Sequence, residues 1–246
     1  MDLVDVRLGP LLDRGDDRQD GRSQRRELII DPDGHGWRDG PGQQSIALES
    51  SQRLSEHLLA DAGTVVAVGP RIERFTVGDA VIGMRNLLNA RVGAQAEYVV
   101  LDESAVAQAP RTVTPAEAAT IPLNGLTAAQ ALDLLALGDG EWLLVTGAAG
   151  ALDAAVLSVE ALNAVRDGGS FVAVAAGAAP PPLRGTRVHN VWIRTDPSQL
   201  AELSALVDAG KLTPRVAATQ PLDTVASAHE RLQARGLRGR IVLQPA

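Results

Sequence analysis

The chain contains no cysteine, and this absence excludes several kinds of chemistry at once. Without thiols it has no disulfide, no thiolate nucleophile and no zinc site built on cysteine, and the usual sign of a redox compartment is missing. Aromatic residues make up only 2% of the 246 residues, so Val, Leu and Ala must fill the core. Lys211 is the only lysine, which leaves a phosphate-binding P-loop without a candidate.

Positive charge and long apolar runs are scarce as well. The formal net charge of -7 gives no basic footprint, so nucleic-acid binding has no support. No run approaches transmembrane length, and the start of the chain lacks the apolar core of a signal peptide. We therefore expect a soluble cytoplasmic protein with a small-molecule substrate and no nucleic-acid or membrane partner; a homodimer stays open.

The four histidines show no metal-ligand spacing, and each is better explained as a solvated or capping residue. They are His35, His57, His189 and His229. Together with the missing cysteine, this predicts that the protein holds no zinc.

The first sixty residues differ in character from the rest. Asp13–Arg26 is charged and has no apolar period, and Asp31–Gly42 is made of turn-forming residues. Such a segment buries too little apolar area to offset its ordering entropy. We expect residues 1–60 to be poorly ordered or irregular, apart from a short strand at Leu28–Ile30 and a short helix at Ile46–Leu59.

Short apolar segments separated by glycine follow from residue 62 onward, a pattern typical of a small, mostly antiparallel β-barrel. The predicted strands are Gly63–Val68, Asp79–Ile82, Ala94–Leu101 and Ala105–Ala109.

Beyond the barrel strands, helices alternate with strands, which indicates an α/β layer. Thr114–Glu117 reads as a capping box with proline at the first helical position. The predicted helices are Leu126–Leu137 closed by Gly138, Ala151–Arg166, one opened by Asp196 and followed by Gly210, and Asp223–Arg235. The predicted strands are an apolar run at Trp142, Ser170–Ala175 and Arg240–Leu243.

The most informative stretch is Glu141–Gly150, an apolar run that enters a glycine turn. This is how a buried parallel strand leads into a helix in a dinucleotide-binding domain. Backbone N–H groups and the helix dipole at Gly147–Gly150 favour an anion such as a pyrophosphate, although a plain strand-to-helix turn is the alternative. Only about twenty residues separate Gly150 from the next strand, enough for one crossover helix but not for a full mononucleotide unit.

An ordered series of segments resembles the zinc-independent quinone oxidoreductase branch of the medium-chain dehydrogenase/reductase superfamily. The matching segments are Gly63–Gly69, Phe75–Gly83, Ala96–Val100, Ala118–Leu132, Leu144–Gly150, Val165–Val172, Gln199–Leu203, Ala209–Leu212 and Ala228–Leu243. No single segment is diagnostic, but in family order they span residues 62 to 246, about three quarters of the chain.

The resemblance implies an α/β fold in two parts. Residues 61–122 and 213–246 are expected to form a partial GroES-like, mostly antiparallel barrel. Residues 123–212 are expected to form a truncated Rossmann-like parallel sheet with helices. The family transfers hydride from NADPH to quinones or to activated alkenes and carbonyls, and the missing cysteine excludes its zinc-dependent alcohol dehydrogenase branch.

The chain departs from the family in two places. Residues 1–60 do not match its opening strands or the loop that lines its substrate cleft. After Gly150 the family's second strand, which grips the adenosine ribose and its phosphate, has no counterpart. These gaps keep a second hypothesis open: a non-catalytic remnant or interaction protein that has lost its cofactor.

The resemblance also implies the cofactor-binding residues. Thr127 matches a family threonine near the cofactor, with a helix N-cap as its alternative role. Gly147, Ala148, Ala149, Gly150 and Ala151 form the glycine turn. Ala175, Ala176 and Gly177 would face the nicotinamide, with a plain loop as the alternative. No catalytic acid–base pair can be named.

Family analogy makes residues 153–157 a strand, whereas the residues themselves favour a helix across Ala151–Arg166. Leu152, Ala155, Val156, Val159 and Leu162 recur at helical spacing. A strand would leave only a short turn after Thr146, which permits a hairpin but no parallel neighbour. The helix gives a right-handed crossover into Phe171.

The composition of the N-terminus leads to a test by limited proteolysis. Residues 1 to about 45 are expected to be cleaved first, because loosely packed chain is cut before packed chain. Mass spectrometry of early fragments measures this, with the 142–175 region as the internal comparison. Equal protection of the two regions would contradict the prediction.

Overall fold

The computed structural model describes residues 45–53, 58–86, 98–145, 161–174, 179–234 and 237–245. The strands are β1 (Ser45–Arg53), β2 (Leu58–Val68), β3 (Ala80–Asn86), β4 (Tyr98–Asp102), β5 (Val106–Gln108), β6 (Ser170–Ala173), β7 (Arg187–Asn190), β8 (Val216–Pro221) and β9 (Arg240–Gln244). The α-helices are α1 (Pro115–Ala118), α2 (Ile121–Leu135), α3 (Pro197–Asp208) and α4 (Val225–Gln233). Glu103–Ala105 and Leu222–Thr224 are 3-10 turns.

Seven strands form one large sheet in the order β5-β3-β2-β1-β9-β8, with β4 also paired to β1. All of its pairings are antiparallel except the parallel pair β8–β9. One apolar cluster of this sheet contains Val65, Phe75, Val81, Val99, Leu101 and Val106. The predicted partial GroES-like, mostly antiparallel sheet is therefore confirmed, and we call it the antiparallel sheet.

The helix expected at Ile46–Leu59 is wrong, because this part of the chain is extended. β1 pairs with β2 from Ile46 opposite Val68 to Ser51 opposite Ala62, and it also pairs with β4. Its backbone groups are thus bonded to residues distant in the sequence. Local residue propensities do not predict such pairing. The short strand expected at Leu28–Ile30 lies outside the described residues.

The second sheet consists, among the described residues, of β6 and β7. They are parallel, with Ser170 opposite Arg187 and Ala173 opposite Asn190, and α2 contacts β6. The predicted Rossmann-like parallel pairing is confirmed in this pair. The predicted domain boundaries stay a prediction.

The strand expected at Trp142 is wrong for the residues that the structure describes. Glu141–Val145 is in no sheet, and the Trp142 side chain is 85% exposed. An apolar run becomes a strand only where a neighbour takes up its N–H and C=O groups, and no described segment does so here. The Glu141 carboxylate instead accepts from the Gly138 N–H at 2.9 Å and pairs with Arg166, which stabilises a turn.

The capping box at Thr114–Glu117 is confirmed. The Thr114 hydroxyl accepts from the Glu117 N–H at 3.3 Å, and the Glu117 carboxylate accepts from the Thr114 N–H at 2.8 Å. The hydrogen bonds from Thr114 lower the pKa of the Glu117 carboxyl, the backbone one most. α2 begins at Ile121, earlier than expected, and it ends with Ala136 in the left-handed region (φ 47°) rather than at Gly138.

The helix expected to run to Arg166 ends earlier. Ala161 and Leu162 are helical and a turn follows. The Arg184 guanidinium donates to the carbonyl oxygens of Leu162 at 2.8 Å and Val165 at 3.0 Å, which satisfies acceptors that a helix end leaves free. Residues 153–157 lie outside the described residues, so the choice between helix and strand stays a prediction.

The later elements follow the predicted pattern. The Asp196 carboxylate caps α3 by accepting from the Gln199 N–H at 3.0 Å. α4 lies within its predicted range, and β9 runs one residue past its own, to Gln244. β7 and β8 were not predicted. Gly239 precedes β9 with φ +108°, and a Cβ there would lie 2.8 Å from the Arg215 carbonyl oxygen, so the turn into β9 requires glycine.

One apolar core joins the antiparallel sheet to α2 and α3. It combines Ile82 and Met84 of β3 with Leu126 of α2 and Leu200 and Leu203 of α3. At Gly125 an added Cβ would lie 2.7 Å from Leu203 Cδ1, so the missing side chain allows α2 and α3 to approach closely.

Polar contacts also hold α3 to β5 and to the segment that follows it. The Ser204 hydroxyl of α3 donates to the Gln108 carbonyl of β5 at 2.8 Å. The Asp208 carboxylate accepts from the N–H groups of Arg111 and Thr112 at 2.8 and 3.0 Å. Desolvation acts to raise the pKa of Asp208, but hydrogen bonds from Thr112 and Arg111 outweigh it and the pKa is lowered.

No helix in the described part of the chain is both long enough and apolar enough to cross a membrane.

A buried carboxyl group lies within the antiparallel sheet. Asp61 of β2 stands opposite Gly83 of β3, and its exposure is 0%. Neither of its carboxyl oxygens has a hydrogen-bond partner in the part of the chain that the structure describes. Burial therefore raises the pKa of Asp61 well above its usual range, and the folded protein holds a proton there.

This proton links stability to pH. The unfolded chain releases it near pH 4 and the folded chain does not, so the free energy of unfolding falls as the pH rises through the interval between the two pKa values. Within that interval the loss is about 1.4 kcal/mol per pH unit. Urea unfolding from pH 4 to 8 measures it, and Asp61→Asn removes this dependence. Asp139→Asn, in an exposed turn, is the control. An Asp61→Asn profile parallel to that of the unaltered protein contradicts the prediction.

Candidate cofactor site

The candidate site lies where the parallel strands β6 and β7 end. In α/β folds ligands bind beyond the carboxyl ends of parallel strands. β6 ends at Ala173, β7 ends at Asn190, and α2 lies against β6. The Val191 N–H donates to the Ala173 carbonyl at 2.9 Å, which continues the pairing one step past β7. This edge is therefore the candidate ligand site.

Thr127 is buried in the second turn of α2. Its hydroxyl donates to the Leu123 carbonyl at 2.6 Å, a bond within the helix. The N-cap role considered for Thr127 is therefore wrong, because α2 begins six residues earlier, at Ile121. The hydroxyl oxygen retains capacity to accept a hydrogen bond, so its place near a cofactor stays a prediction.

Gln130, one turn further along α2, connects the helix to the segment after β7. Its side chain is 5% exposed. Gln130 Oε1 accepts from the Arg194 N–H at 2.9 Å, and Nε2 donates to the Arg194 carbonyl at 2.8 Å. The carboxamide thus pairs with backbone as a neighbouring strand would, and it holds the path from β7 into α3.

The same network includes the first turn of α3. Gln130 Nε2 also donates to Gln199 Oε1 at 3.1 Å, and Gln199 Nε2 donates to the Asp133 carboxylate at 2.8 Å. On the other side of this segment, the Thr195 hydroxyl donates to the Met84 carbonyl of β3 at 3.0 Å. The residues that follow β7 are therefore fixed to α2, α3 and the antiparallel sheet.

Asn190, the last residue of β7, is not used by this network. It is half-buried, and its Oδ1 is buried without a hydrogen-bond partner in the described structure. By strand alternation and register it shares a face with Ala173, whereas Ser170 and Arg187 share the opposite face and bond to each other at 3.2 Å. An unpaired amide at this edge suits a ligand that carries its own donors and acceptors.

The other predicted site residues lie outside the described residues. These are Gly147, Ala148, Ala149, Gly150 and Ala151 of the glycine turn, and Ala175, Ala176 and Gly177 after β6. Their roles stay predictions. Val145 and Val174, the described residues nearest to them, are both exposed.

Sequence reasoning missed Gln130 and Asn190. Gln130 sits three positions after Thr127, where a polar residue on the apolar face of a helix could have signalled a buried network. Asn190 left no signal, because only the three-dimensional arrangement shows that its amide has no partner.

A separate cleft lies at the antiparallel sheet. Its volume is about 380 Å³, and polar and apolar atoms contribute about equally to its surface. Thr64, Pro115 and Gln244 are among the lining residues, and neither Thr127 nor Asn190 is. The cleft is therefore distinct from the candidate cofactor site.

Comparison with known proteins agrees with this architecture. A family model described as an alcohol dehydrogenase GroES-like domain matches residues 60–111, and one described as a zinc-binding dehydrogenase matches residues 126–243. The chain belongs to the medium-chain dehydrogenase/reductase superfamily.

Two curated relatives within this superfamily illustrate the similarity. The chloroplastic quinone-oxidoreductase homolog of Spinacia oleracea is 39% identical over 95 residues, which are 36% of this chain and 28% of that protein. The 2-methylene-furan-3-one reductase of Solanum lycopersicum is 23% identical over 246 residues, covering 75% of this chain and 62% of that protein. The chain thus spans less than two thirds of the length of either relative.

A solved structure shows the same fold. The quinone oxidoreductase from Coxiella burnetii superposes with a TM-score of 0.65 at 18% identity, covering 82% of this chain and 90% of that one. At this identity the likeness concerns the fold alone.

The Gln130 network is expected to contribute strongly to stability. Gln130→Leu substitutes an apolar side chain of similar size and removes both hydrogen-bond partners of the Arg194 backbone. We therefore expect the free energy of unfolding to fall by about 2–4 kcal/mol. Urea unfolding measures the change. Gln233→Leu, at the exposed end of α4, is the matched control and should change stability by about 0.5 kcal/mol or less. Equal effects of the two substitutions contradict the assigned role.

Proposed function

We propose that this superfamily member is an NADPH-dependent, zinc-independent oxidoreductase of the quinone reductase or enoyl reductase type. It would transfer hydride to a quinone or to an activated alkene or carbonyl. The observation that carries this proposal is the parallel edge of β6 and β7, held against α2 in a chain of this superfamily. The named similarity to a quinone-oxidoreductase homolog and to an enone reductase supports the substrate class.

The described residues fit the nicotinamide half of such a cofactor. Asn190 ends β7 at the edge where parallel strands receive ligands. The place of Thr127 near the cofactor rests on the family resemblance. In this proposal Gly147–Ala151 receives the pyrophosphate and Ala175–Gly177 faces the nicotinamide. The bound cofactor supplies the hydride, and the chain supplies binding and orientation.

A second candidate function is a non-catalytic protein that keeps the superfamily's packing without its cofactor. The observation that favours it is the short connection between Gly150 and β6, which leaves no room for the strand that grips the adenosine ribose. Substrates, partners and assembly would then differ from those of the relatives.

Cofactor titration separates the two functions. Intrinsic and cofactor fluorescence are followed as NADPH or NADH is added to the full chain. Saturable binding supports the oxidoreductase, with weak affinity and little preference between the two cofactors expected from the missing ribose grip. No binding at millimolar concentration supports the non-catalytic protein. Oxidation of NADPH by a quinone or an enone then identifies the substrate class.

The metal content is a separate prediction. Because the chain has no cysteine and no histidine pair at ligand spacing, purified protein is expected to contain no stoichiometric zinc. Elemental analysis measures it, alongside a zinc-type alcohol dehydrogenase as positive control. One zinc per chain would overturn the zinc-independent part of the proposal.

A further inference from the structure

We propose that Asp139 is a site of spontaneous backbone isomerisation, where the ordinary aspartyl linkage to Gly140 becomes an isoaspartyl one. The proposal is independent of the proposed function. It rests on the two Asp-Gly sequences in the part of the chain that the structure describes, at 139–140 and 167–168, which the fold holds in opposite ways.

The reaction takes place within one Asp-Gly unit. The Gly140 nitrogen attacks Asp139 Cγ, a C–N bond forms, and the carboxyl hydroxyl leaves with the amide proton as water. Water then opens the cyclic imide. Where it adds to the main-chain carbonyl carbon, the bond from that carbon to nitrogen breaks, and the chain continues through Cγ with a free α-carboxylate. Glycine hinders the attack least because it has no side chain.

Asp139 and Gly140 are the central residues of an exposed turn. The Glu141 N–H donates to the Gly138 carbonyl at 3.2 Å and closes the turn, and both central residues are exposed. Among the described residues, no hydrogen bond engages the Asp139 carboxyl group or the Gly140 N–H. Both reacting groups are therefore unrestrained.

The peptide between Asp139 and Gly140 also has room to rotate. When the central peptide of a turn flips, ψ of the first central residue and φ of the second change together while the ends stay in place. Gly140 has φ +79°, and glycine accepts either sign of φ. A Cβ added to Gly140 would meet nothing within 4 Å, so the space beside it is open to this rotation.

At Asp167 the same pair of groups is held. The Arg184 Nε donates to the Asp167 carboxylate at 2.9 Å, and the Gly168 N–H donates to the Arg184 carbonyl at 3.0 Å. The Asp167 side chain is 80% exposed, so exposure does not distinguish the two sites. Arg184 restrains both the carboxyl group and the attacking nitrogen, and the reaction there requires local opening first.

The test compares the two sites in the folded and in the urea-unfolded chain. The protein is incubated in weakly acidic water labelled with heavy oxygen, which leaves the label wherever an imide has opened. Endoproteinase Asp-N cuts before aspartate but not before isoaspartate. The uncut, labelled fraction at each site, measured by mass spectrometry, therefore gives the rate of isomerisation.

In the folded protein we expect Asp139 to isomerise about tenfold faster than Asp167 or more, because the hydrogen bonds at Asp167 must break before it reacts. In urea the two rates should converge, because both sites share the Asp-Gly sequence. Asp139→Glu lengthens the side chain, so the label at this position should disappear while that at Asp167 stays unchanged. Arg184→Gln removes the guanidinium and should raise the rate at Asp167 alone.

Three results overturn the proposal. Equal rates at the two sites of the folded protein, or a faster rate at Asp167, show that the restraint by Arg184 does not control the reaction. A difference of the same size in urea assigns it to neighbouring residues rather than to the fold. Isomerisation of Asp139 in urea but not in the folded chain shows that the turn itself blocks ring closure. Cofactor binding affects none of these measurements, so the proposed function stands or falls separately.

Discussion

The two-way hydrogen bond between the Gln130 side chain and the Arg194 backbone is the constraint on which the arrangement of the two sheets depends. It bonds to the backbone after β7 as a neighbouring strand would, through a side chain that is almost fully buried. Because Arg194 leads directly into the Asp196 cap of α3, the same bond fixes the direction of that helix. α3 then reaches the antiparallel sheet through Ser204 and Asp208.

The antiparallel sheet shares one buried core with α2 and α3. Met84 of β3, Leu126 of α2 and Leu203 of α3 belong to one buried cluster, and Gly125 lets the helices approach closely. At the other end of the chain the Arg240 guanidinium, whose pKa burial lowers to about 10, donates to Asn124 of α2. A cofactor edge supported in this way gains its precision from residues that do not touch the cofactor.

Local signals in the sequence predicted the local structure well. The capping box at Thr114 and the Asp196 cap are formed by residues three positions apart, so spacing alone reveals them. The failures are non-local. The extended chain at Ile46 depends on pairing with β2, and the apolar run at Trp142 lacks the described neighbour that a strand needs. β7 carries no apolar alternation, and the unpaired Asn190 Oδ1 is visible only once the described residues around it are placed.

The connection between Gly150 and β6 is too short for the strand that grips the adenosine ribose in a complete nucleotide-binding unit. In the proposed oxidoreductase this would remove binding energy from groups remote from the reaction, and such energy is what aligns a substrate. Alignment of the reacting ring would then depend on contacts at the ring itself.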